Sequence, residues 1–187
     1  QVTSPSFVAP ERQQRVADAI HALNPDVLCL QEVENRPMLE QFNRAYLSDL
    51  GYQVVLFEGN DTRGIDVALL TRLPVDSVTS YRHLRFEDTE GREQHFRRDL
   101  LRVHIGGKLN ADAYIVHFKS QHGGENSDVI RTSEAHAAAG IIAAEMKADA
   151  NYRGFICGDF NEVLEESTIQ EFLKIGLVDS CAGTEKY

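Results

Sequence analysis

The chain has 187 residues, enough for one domain with a sizeable hydrophobic core and short of a comfortable two. Its formal net charge of −10 argues against a non-specific nucleic-acid binder, because such proteins neutralise backbone phosphates with basic residues. An enzyme acting on phosphate esters remains compatible, since a bound divalent cation and a local arginine cluster can reverse the sign of charge inside a site. No apolar run approaches the ~20 residues that span a bilayer, so we expect no integral membrane segment.

The first half of the chain alternates predicted helices and strands. Residues 1–9 are predicted to be a loop, and a helix begins at Pro10 and ends before Asn24. Asn35 and Pro37 indicate the start of a second helix, whose apolar stripe continues to Leu50. The predicted strands of this half are Val27–Leu30, Tyr52–Phe57, Ile65–Thr71 and Val75–Tyr81, with the last two forming a hairpin.

The second half contains longer polar segments between apolar runs. Its predicted elements are an exposed loop at 82–95, strands Phe96–Ile105 and Leu109–Phe118, a loop at Lys119–Asp128, a helix at Val129–Ala148, a strand at Phe155–Gly158 and a last helix ending near Leu173. Strands alternate with helices at both ends of the chain, and hairpins fill the middle. This order favours an α+β fold, with sheets packed on each other and helices outside, over a simple parallel doubly wound sheet.

Polar residues follow two of the predicted buried strands. Asp159 and Asn161 come directly after Phe155–Gly158, and their spacing puts them on one side if the strand conformation continues. A carboxylate and an amide there could hold a hydrated metal, a phosphate oxygen or an attacking water. Glu32 follows Val27–Leu30, and a carboxylate at such a strand end suits an oxygen-preferring cation such as Mg²⁺. The alternative for Glu32 is a helix-capping or solvated acid.

Asp66 and His117 each stand as a polar residue within an otherwise apolar strand. Aspartate disfavours strands and costs free energy when it is buried without a partner, so Asp66 requires one. A carboxylate bonded to His117 would fix the imidazole tautomer and raise its basicity. The alternative is two separate residues at strand edges, or a structural hydrogen bond.

Arg97 and Arg98 interrupt an apolar strand, so we expect one to face solvent and the other to lie on the opposite face. The guanidinium group of the arginine on that opposite face could bind a phosphate. A surface salt bridge with Asp99 or Glu93 is an equal alternative. Lys119, two residues past the histidine and on the same side of its strand, could add positive charge.

Five segments carry these polar residues: PDVLCLQEVEN at 25–35, GIDVALLTRLP at 64–74, FRRDLL at 96–101, VHFKSQHGG at 116–124 and GDFNE at 158–162. Together they resemble the endonuclease/exonuclease/phosphatase superfamily, which has the deoxyribonuclease-I-like fold. They occur in that family's order with similar spacing, and the resemblance spans most of the chain from 10 to 162. The resemblance implies a four-layer α/β/β/α sandwich of two mixed sheets flanked by helices, with its site at one rim.

The resemblance also implies roles for individual residues. Glu32 resembles the family's metal-binding glutamate, which would bind Mg²⁺ or Mn²⁺. Asp159 and Asn161 resemble the pair that positions the scissile phosphate and the nucleophilic water. His117 is similar to a histidine that contacts the phosphate, and Asp66 resembles its carboxylate partner.

The reaction that the resemblance implies is metal-assisted hydrolysis of a phosphodiester by in-line water attack, without a covalent intermediate. Arg98 is similar to the arginine of an F-x-R motif that contacts phosphate oxygens. The expected substrate is nucleic acid, DNA or RNA. The alternatives are a phosphatase or lipid-head-group phosphodiesterase of the same superfamily, and a binding module that keeps the fold without catalysis.

The sequence departs from the family pattern at both ends. The family begins with a strand bearing an asparagine near the metal, and residues 1–9 contain neither the strand nor the asparagine. The family ends with an aspartate and then an Asp-His pair, which nothing after Asp179 supplies. We therefore expect residues 1–187 to form one incomplete domain, truncated at both ends, with little hydrolytic activity by itself.

Overall fold

The computed structural model describes residues 8–182, so residues 1–7 of the predicted N-terminal loop lie outside the described residues. Within this range the helices are α1 Pro10–Leu23, α2 Arg36–Tyr46, α3 Glu125–Ala148 and α4 Ser167–Lys174. The strands are β1 Val27–Val33, β2 Gln53–Leu56, β3 Asp66–Thr71, β4 Val75–Ser80, β5 Phe86–Glu87, β6 Glu93–Gln94, β7 Leu101–Ile105, β8 Ala111–His117 and β9 Gly154–Asp159. The mixed α and β content predicted from the sequence is confirmed.

The strands form two main sheets. The first has the order β1-β3-β2 and is antiparallel, whereas the second has the order β4-β7-β8-β9 and combines antiparallel pairs with a parallel β8–β9 pair. The predicted hairpin between β3 and β4 is wrong, because β4 pairs with β7 in the second sheet. Pro74 breaks the chain between the two strands, and Val75 then aligns with Ile105 rather than with β3.

The core consists of three apolar clusters, and each lies between two adjacent layers of secondary structure, so the fold has four such layers. Along β3, Val67 and Leu69 belong to the cluster between the two sheets, and Ala68 and Leu70 belong to the cluster under α1 and α2. This alternation is the period of two that a strand requires. On the other side, α3 and α4 cover the second sheet around the fully buried Tyr114. The expected α/β/β/α sandwich is thus confirmed.

Helix α2 is shorter than its apolar stripe predicts. Asn35 caps its start, because the Asn35 side chain accepts a hydrogen bond of 2.9 Å from the Met38 backbone N–H. The helix ends at Tyr46 rather than near Leu50, and Leu47 leaves the helical conformation while packing its side chain into the core. The buried Leu47 and the half-buried Leu50 therefore belong to a turn, which periodicity does not distinguish from a further helical turn.

The segment 82–95, predicted to be an exposed loop, contains the short β5–β6 hairpin instead. Asp88 organises its turn, since Oδ1 accepts the backbone N–H groups of Glu90 and Arg92, both at 2.9 Å. Gln94 donates to Oδ2 of the same carboxylate at 2.8 Å. A buried aspartate therefore orders a segment whose polar composition suggested only a loop.

Two boundaries near the candidate site also differ from prediction. Strand β7 begins at Leu101, so residues 96–100 are irregular rather than extended. Helix α3 begins at Glu125, four residues before the predicted Val129, and the preceding loop is correspondingly shorter. Among the described residues, no helix is both long and apolar enough to cross a membrane.

Candidate functional site

The ends of β8 and β9 bring two of the predicted polar residues together at one rim of the sandwich. In the parallel β8–β9 pair, His117 lies opposite Asp159, so both residues occur at the same level of the second sheet. His117 Nε2 lies 3.7 Å from Asp159 Oδ2. The Phe118 backbone N–H donates to the Asp159 carbonyl at 2.9 Å and keeps the two strands paired to their ends. Two of the predicted site residues are therefore neighbours.

Asp159 and Asn161 do not share one side of an extended strand, so that expectation is wrong. The chain turns after β9, with Asn161 in the left-handed region at a φ of 51°. Asp159 Oδ1 accepts the Asn161 backbone N–H at 2.8 Å, which closes a tight turn that aspartate commonly stabilises. The Asn161 side-chain amide donates to the Phe118 carbonyl at 3.0 Å. The turn leaves the Asp159 carboxylate about half exposed, at 52% of its side-chain surface.

His117 is buried, and its Nδ1 has no hydrogen-bond partner within residues 8–182. The expected bond to Asp66 is not formed, because Asp66 Oδ1 accepts the Gly59 backbone N–H at 2.7 Å. The two residues lie in different sheets, Asp66 on β3 and His117 on β8. Burial lowers the pKa of His117, and the nearby Arg98 charge lowers it further while Asp159 opposes the change. Burial raises the pKa of Asp66.

Glu32 lies within β1, at an irregularity in the pairing of β1 with β3 between Leu30 and Val33. Its φ of 58° is uncommon for a residue other than glycine. The side chain is exposed and makes no hydrogen bond or ion pair with any residue that the structure describes. The strand bulge thus presents the Glu32 carboxylate to solvent rather than pairing it within the protein.

The acidic residues of the rim fit Mg²⁺ or Mn²⁺ better than a cation that requires most of its ligands from the protein. Within residues 8–182 no group of three or more His, Cys, Asp or Glu residues is placed to hold a metal ion. Mg²⁺ keeps several waters and is commonly held by one or two carboxylates together with substrate phosphates. Glu32 and Asp159 provide exposed carboxylates of that kind.

Arg98 is buried and engaged by the protein itself. It lies in the irregular segment before β7, with its Nε 2.8 Å from Asp61 Oδ2. Its Nη1 donates to the Phe118 carbonyl at 3.1 Å, the same carbonyl that accepts from Asn161. Neither predicted salt bridge, with Asp99 or with Glu93, is among the ion pairs of the described residues; Arg97 instead donates to Gln94 at 3.0 Å. Arg98 thus joins the 96–100 segment to the turn after β9.

Glu134, which is not among the predicted site residues, connects two of these segments. It is buried on α3, where Oε1 accepts the Arg97 backbone N–H and Oε2 accepts the Lys119 backbone N–H, both at 2.7 Å. Burial raises the pKa of Glu134 to about 7, against these hydrogen bonds. The available signal was its helical spacing from Ile130 and Ala138, which places a carboxylate on the buried stripe of α3.

Arg131, one helical turn before Glu134, supports the other side of the rim. Its side chain is buried and donates from Nε to Glu162 Oε2 at 2.9 Å and from Nη2 to Asp128 Oδ1 at 2.7 Å. Glu162 directly follows Asn161 in the turn after β9. Helix α3 therefore fixes the segments at Arg97, at Lys119 and after Asn161 through two buried charged residues.

Solved structures share this fold at low sequence identity. The catalytic domain of human Nocturnin with a bound sulfate anion matches with a TM-score of 0.69 and 21% identity, over 88% of this chain and 61% of that one. Truncated TDP2 from Caenorhabditis elegans matches with a TM-score of 0.56 and 20% identity, over 83% and 57%. Sphingomyelinase C from Streptomyces griseocarneus gives 0.60 and 16%, over 88% and 62%. The chain spans about six-tenths of the length of these structures.

The sequence itself matches a family profile over nearly its whole length. Comparison with curated proteins gives no match. The profile of the Endonuclease/Exonuclease/phosphatase family matches residues 10–187. All five segments that carry the resemblance lie within this range. The chain therefore belongs to the endonuclease/exonuclease/phosphatase family.

Proposed function

We propose that this chain forms the phosphate-binding rim of a divalent-metal-dependent phosphodiesterase, with nucleic acid as the first expected substrate. The observation that carries the proposal is the exposed Asp159 carboxylate 3.7 Å from the buried His117, whose Nδ1 has no partner among the described residues. The charge of the exposed Glu32 also acts on His117. A buried polar atom without a hydrogen bond costs free energy, and such atoms in native proteins commonly serve function. Nε2, the other ring nitrogen, lies toward the exposed Asp159 and is the one that a phosphate oxygen at the rim would meet.

Each residue of the rim has a role in this proposal. His117, kept neutral near neutral pH by its lowered pKa, donates a hydrogen bond to the phosphoryl group from a ring nitrogen. Asp159, fixed by the Asn161 backbone N–H, orients the attacking water with its exposed oxygen. Glu32 would hold Mg²⁺ or Mn²⁺, which when bound neutralises negative charge that develops on the phosphoryl and leaving oxygens. Arg98 and Lys119 add positive charge beside the phosphate.

A substrate panel tests the proposed reaction in the full-length protein. Plasmid DNA, RNA, a nitrophenyl phosphodiester, an inositol phosphate and sphingomyelin are each incubated with Mg²⁺ or Mn²⁺. Hydrolysis of DNA or RNA supports the nuclease proposal. Turnover confined to the inositol phosphate or to sphingomyelin would replace it with a phosphatase or lipid-head-group phosphodiesterase. Failure to hydrolyse any of these compounds would favour the alternative that the protein is a binding module that keeps the fold without catalysis.

Substitutions at the rim test the residue assignments. We expect Asp159→Asn and His117→Ala each to reduce the kcat of the full-length protein at least about 100-fold, as loss of groups acting on the transition state does. The matched controls are Asp18→Asn on α1 and His83→Ala, both exposed residues outside the rim. Circular dichroism checks that all four variants are folded. Normal turnover by the folded Asp159→Asn variant would rule out the assigned site.

A further inference from the structure

A cavity of about 380 Å³ lies beside the rim, on the surface where the 59–64 turn meets the 96–100 segment. Four cationic side chains and one carboxylate line it: Arg63, Arg97, Arg98, Lys119 and Asp61. Such a surplus of positive charge is unusual on a chain whose net charge is −10. Concave surfaces lined by one sign of charge focus the field and concentrate ligands of opposite sign.

The protein itself neutralises only part of this charge. Asp61 is shared by two guanidinium groups, with Oδ2 lying 3.0 Å from Arg63 Nη2 and 2.8 Å from Arg98 Nε. The Arg97 guanidinium and the Lys119 ammonium make no ion pair with a described carboxylate, and each donates to neutral oxygens instead. These acceptors are Gln94 Oε1 for Arg97, and the carbonyls of Ser120 and His122 with the Ser120 hydroxyl for Lys119.

Glu134 is the other carboxylate near these cations, but it does not face the cavity as a partner. It is buried, and each of its oxygens is occupied by a backbone N–H, from Arg97 or from Lys119. It therefore holds the two segments in place and leaves their side chains directed to other contacts. Like charges brought this close repel each other unless a counter-ion is present, so the arrangement favours binding of an anion.

The cavity shares a wall with the phosphate-binding rim. Arg98 lines the cavity, and its Nη1 donates to the Phe118 carbonyl, which also accepts from the Asn161 side chain. Lys119 lines the cavity as well and is two residues from His117. A substrate group next to the hydrolysed phosphate would therefore enter this cavity.

We propose that the cavity is a second anion subsite and that the natural substrate carries at least one further phosphate group besides the one that is hydrolysed. This inference rests on the proposed function and specifies its substrate class: phosphate esters with two or more phosphates. The chemistry is shared by a nucleic-acid backbone and by a small molecule bearing several phosphates. Arg63 and Arg97, the cavity cations without an assigned role at the rim, contact the second phosphate.

Binding of inorganic pyrophosphate tests the subsite without hydrolysis. Calorimetric titration of the full-length protein is done in EDTA, where Glu32 and Asp159 carry uncompensated negative charge and disfavour an anion at the rim. We expect the Arg63→Gln/Arg97→Gln variant to bind pyrophosphate at least about tenfold more weakly, because each charge-assisted contact to phosphate is lost. The Arg63→Gln single variant, which keeps the ion pair between Asp61 and Arg98, should lose part of that affinity.

Arg153→Gln is the matched control for the Arg63→Gln single variant, since Arg153 is exposed, does not line the cavity, and its replacement also removes one positive charge. It should bind pyrophosphate as the wild type does. Equal affinity in all variants, or no binding by the wild type, overturns the subsite.

A matched pair of substrates then separates the subsite from the proposed function. Thymidine 5′-(4-nitrophenyl phosphate) is compared with the same compound bearing a 3′-phosphate, in the presence of Mg²⁺. The 3′-phosphate should lower KM for the wild type and have no effect in the double variant. Turnover of both compounds with the same KM would overturn the subsite but support the proposed hydrolase. Pyrophosphate binding that is weakened in the double variant, without turnover of either compound, would support the subsite but overturn the hydrolase. Competition by a DNA oligonucleotide or by an inositol polyphosphate distinguishes the two sources of the second phosphate.

Discussion

Glu134 performs a task that requires a carboxylate rather than an amide. Its two oxygens each accept one backbone N–H, from Arg97 and from Lys119, in segments that are far apart in sequence. A glutamine offers one acceptor oxygen and an NH₂ group that donates, so it can satisfy only one of these N–H groups. Burial disfavours the charged form of Glu134 and therefore raises its pKa from 4.5 to about 7.

Replacing Glu134 with Gln should remove part of the pH dependence of stability. Because the native pKa of about 7 lies above the unfolded value of 4.5, the native state binds a proton more tightly. Glu134 therefore stabilises the fold at low pH, and this contribution is lost as pH rises from about 4.5 to about 7. We expect the loss to be about 1 to 3 kcal/mol, measured as the free energy of unfolding in urea across this range.

Burial raises the pKa of Asp99 to about 6, so Asp99 titrates in the same pH range in both proteins. The effect of Glu134 is therefore the difference between the wild-type and Glu134→Gln free energies of unfolding at each pH. Glu125→Gln, an exposed residue on the same helix, is the matched control and should leave the profile unchanged. Parallel profiles for wild type and Glu134→Gln would contradict the prediction.

At single residues, the sequence predicted which buried side chains are unusual, but it did not always predict their hydrogen-bond partners. Asp66 in an apolar strand was correctly expected to require a partner, and the partner is the Gly59 backbone N–H rather than His117. A backbone donor from a neighbouring turn leaves no signature in residue types. Glu134 was missed for a related reason, because its acceptors are satisfied by backbone groups of Arg97 and Lys119.

The parallel β8–β9 pair sets the level at which His117 and Asp159 meet, and Gly158 makes that pairing possible. Gly158 has a φ of +139°, and a Cβ added there would overlap the Val116 carbonyl oxygen. Only glycine allows the strands to approach this closely just before Asp159. The glycine of the GDFN segment is thus explained by packing as well as by conformation.

Gly158→Ala should destabilise the protein by at least about 2 kcal/mol, because the added methyl group meets backbone atoms that cannot move aside without breaking the β8–β9 pairing. The matched substitution is Gly140→Ala on α3, where an added Cβ meets nothing within 4 Å. This control should stabilise by about 0.5 to 1 kcal/mol, as alanine does in an exposed helix interior. Urea denaturation measures both, and similar values for the two variants would contradict the packing argument.

Among the elements, apolar strands were predicted well and charged segments poorly. β3 and β8 are almost wholly buried, so their hydrophobic runs determine them. The sequence predicts that the segment 96–100 continues β7, but this segment is irregular. Arg98 forms an ion pair with Asp61 and donates to the Phe118 carbonyl, and the Arg97 backbone N–H donates to Glu134. These tertiary contacts outweigh the local strand preference.

At the scale of the whole molecule, the site depends on how the two sheets are stacked. Glu32 comes from β1 of the first sheet, whereas His117 and Asp159 come from β8 and β9 of the second. The apolar cluster between the sheets, which includes Leu69 and Ile115, holds the two carboxylates on one rim. Periodicity predicted most of the strands but paired β4 with β3, which lies in the other sheet. The two-sheet sandwich followed from the family resemblance rather than from any local pattern.

Because the carboxylates come from different sheets and carry like charge, a divalent cation bound at Glu32 should stabilise the whole fold. A ligand that binds only the native state contributes about 1.4 kcal/mol at ten times its Kd. We therefore expect Mg²⁺ to raise Tm by a few degrees and EDTA to reverse the rise. Thermal unfolding in NaCl of equal ionic strength separates this specific effect from general screening of the negative charge.

Glu32→Gln should abolish the Mg²⁺-dependent rise in Tm while leaving the Tm in EDTA nearly unchanged, since the exposed side chain makes no ion pair with a described residue. Glutamine has nearly the same size and shape as glutamate, so the variant isolates the loss of the charge at this position, where φ is 58°. Glu34→Gln, two residues away and also exposed, is the matched control and should retain the rise. If both variants respond to Mg²⁺ equally, the cation acts through the overall negative charge of the protein, and Glu32 is not its ligand.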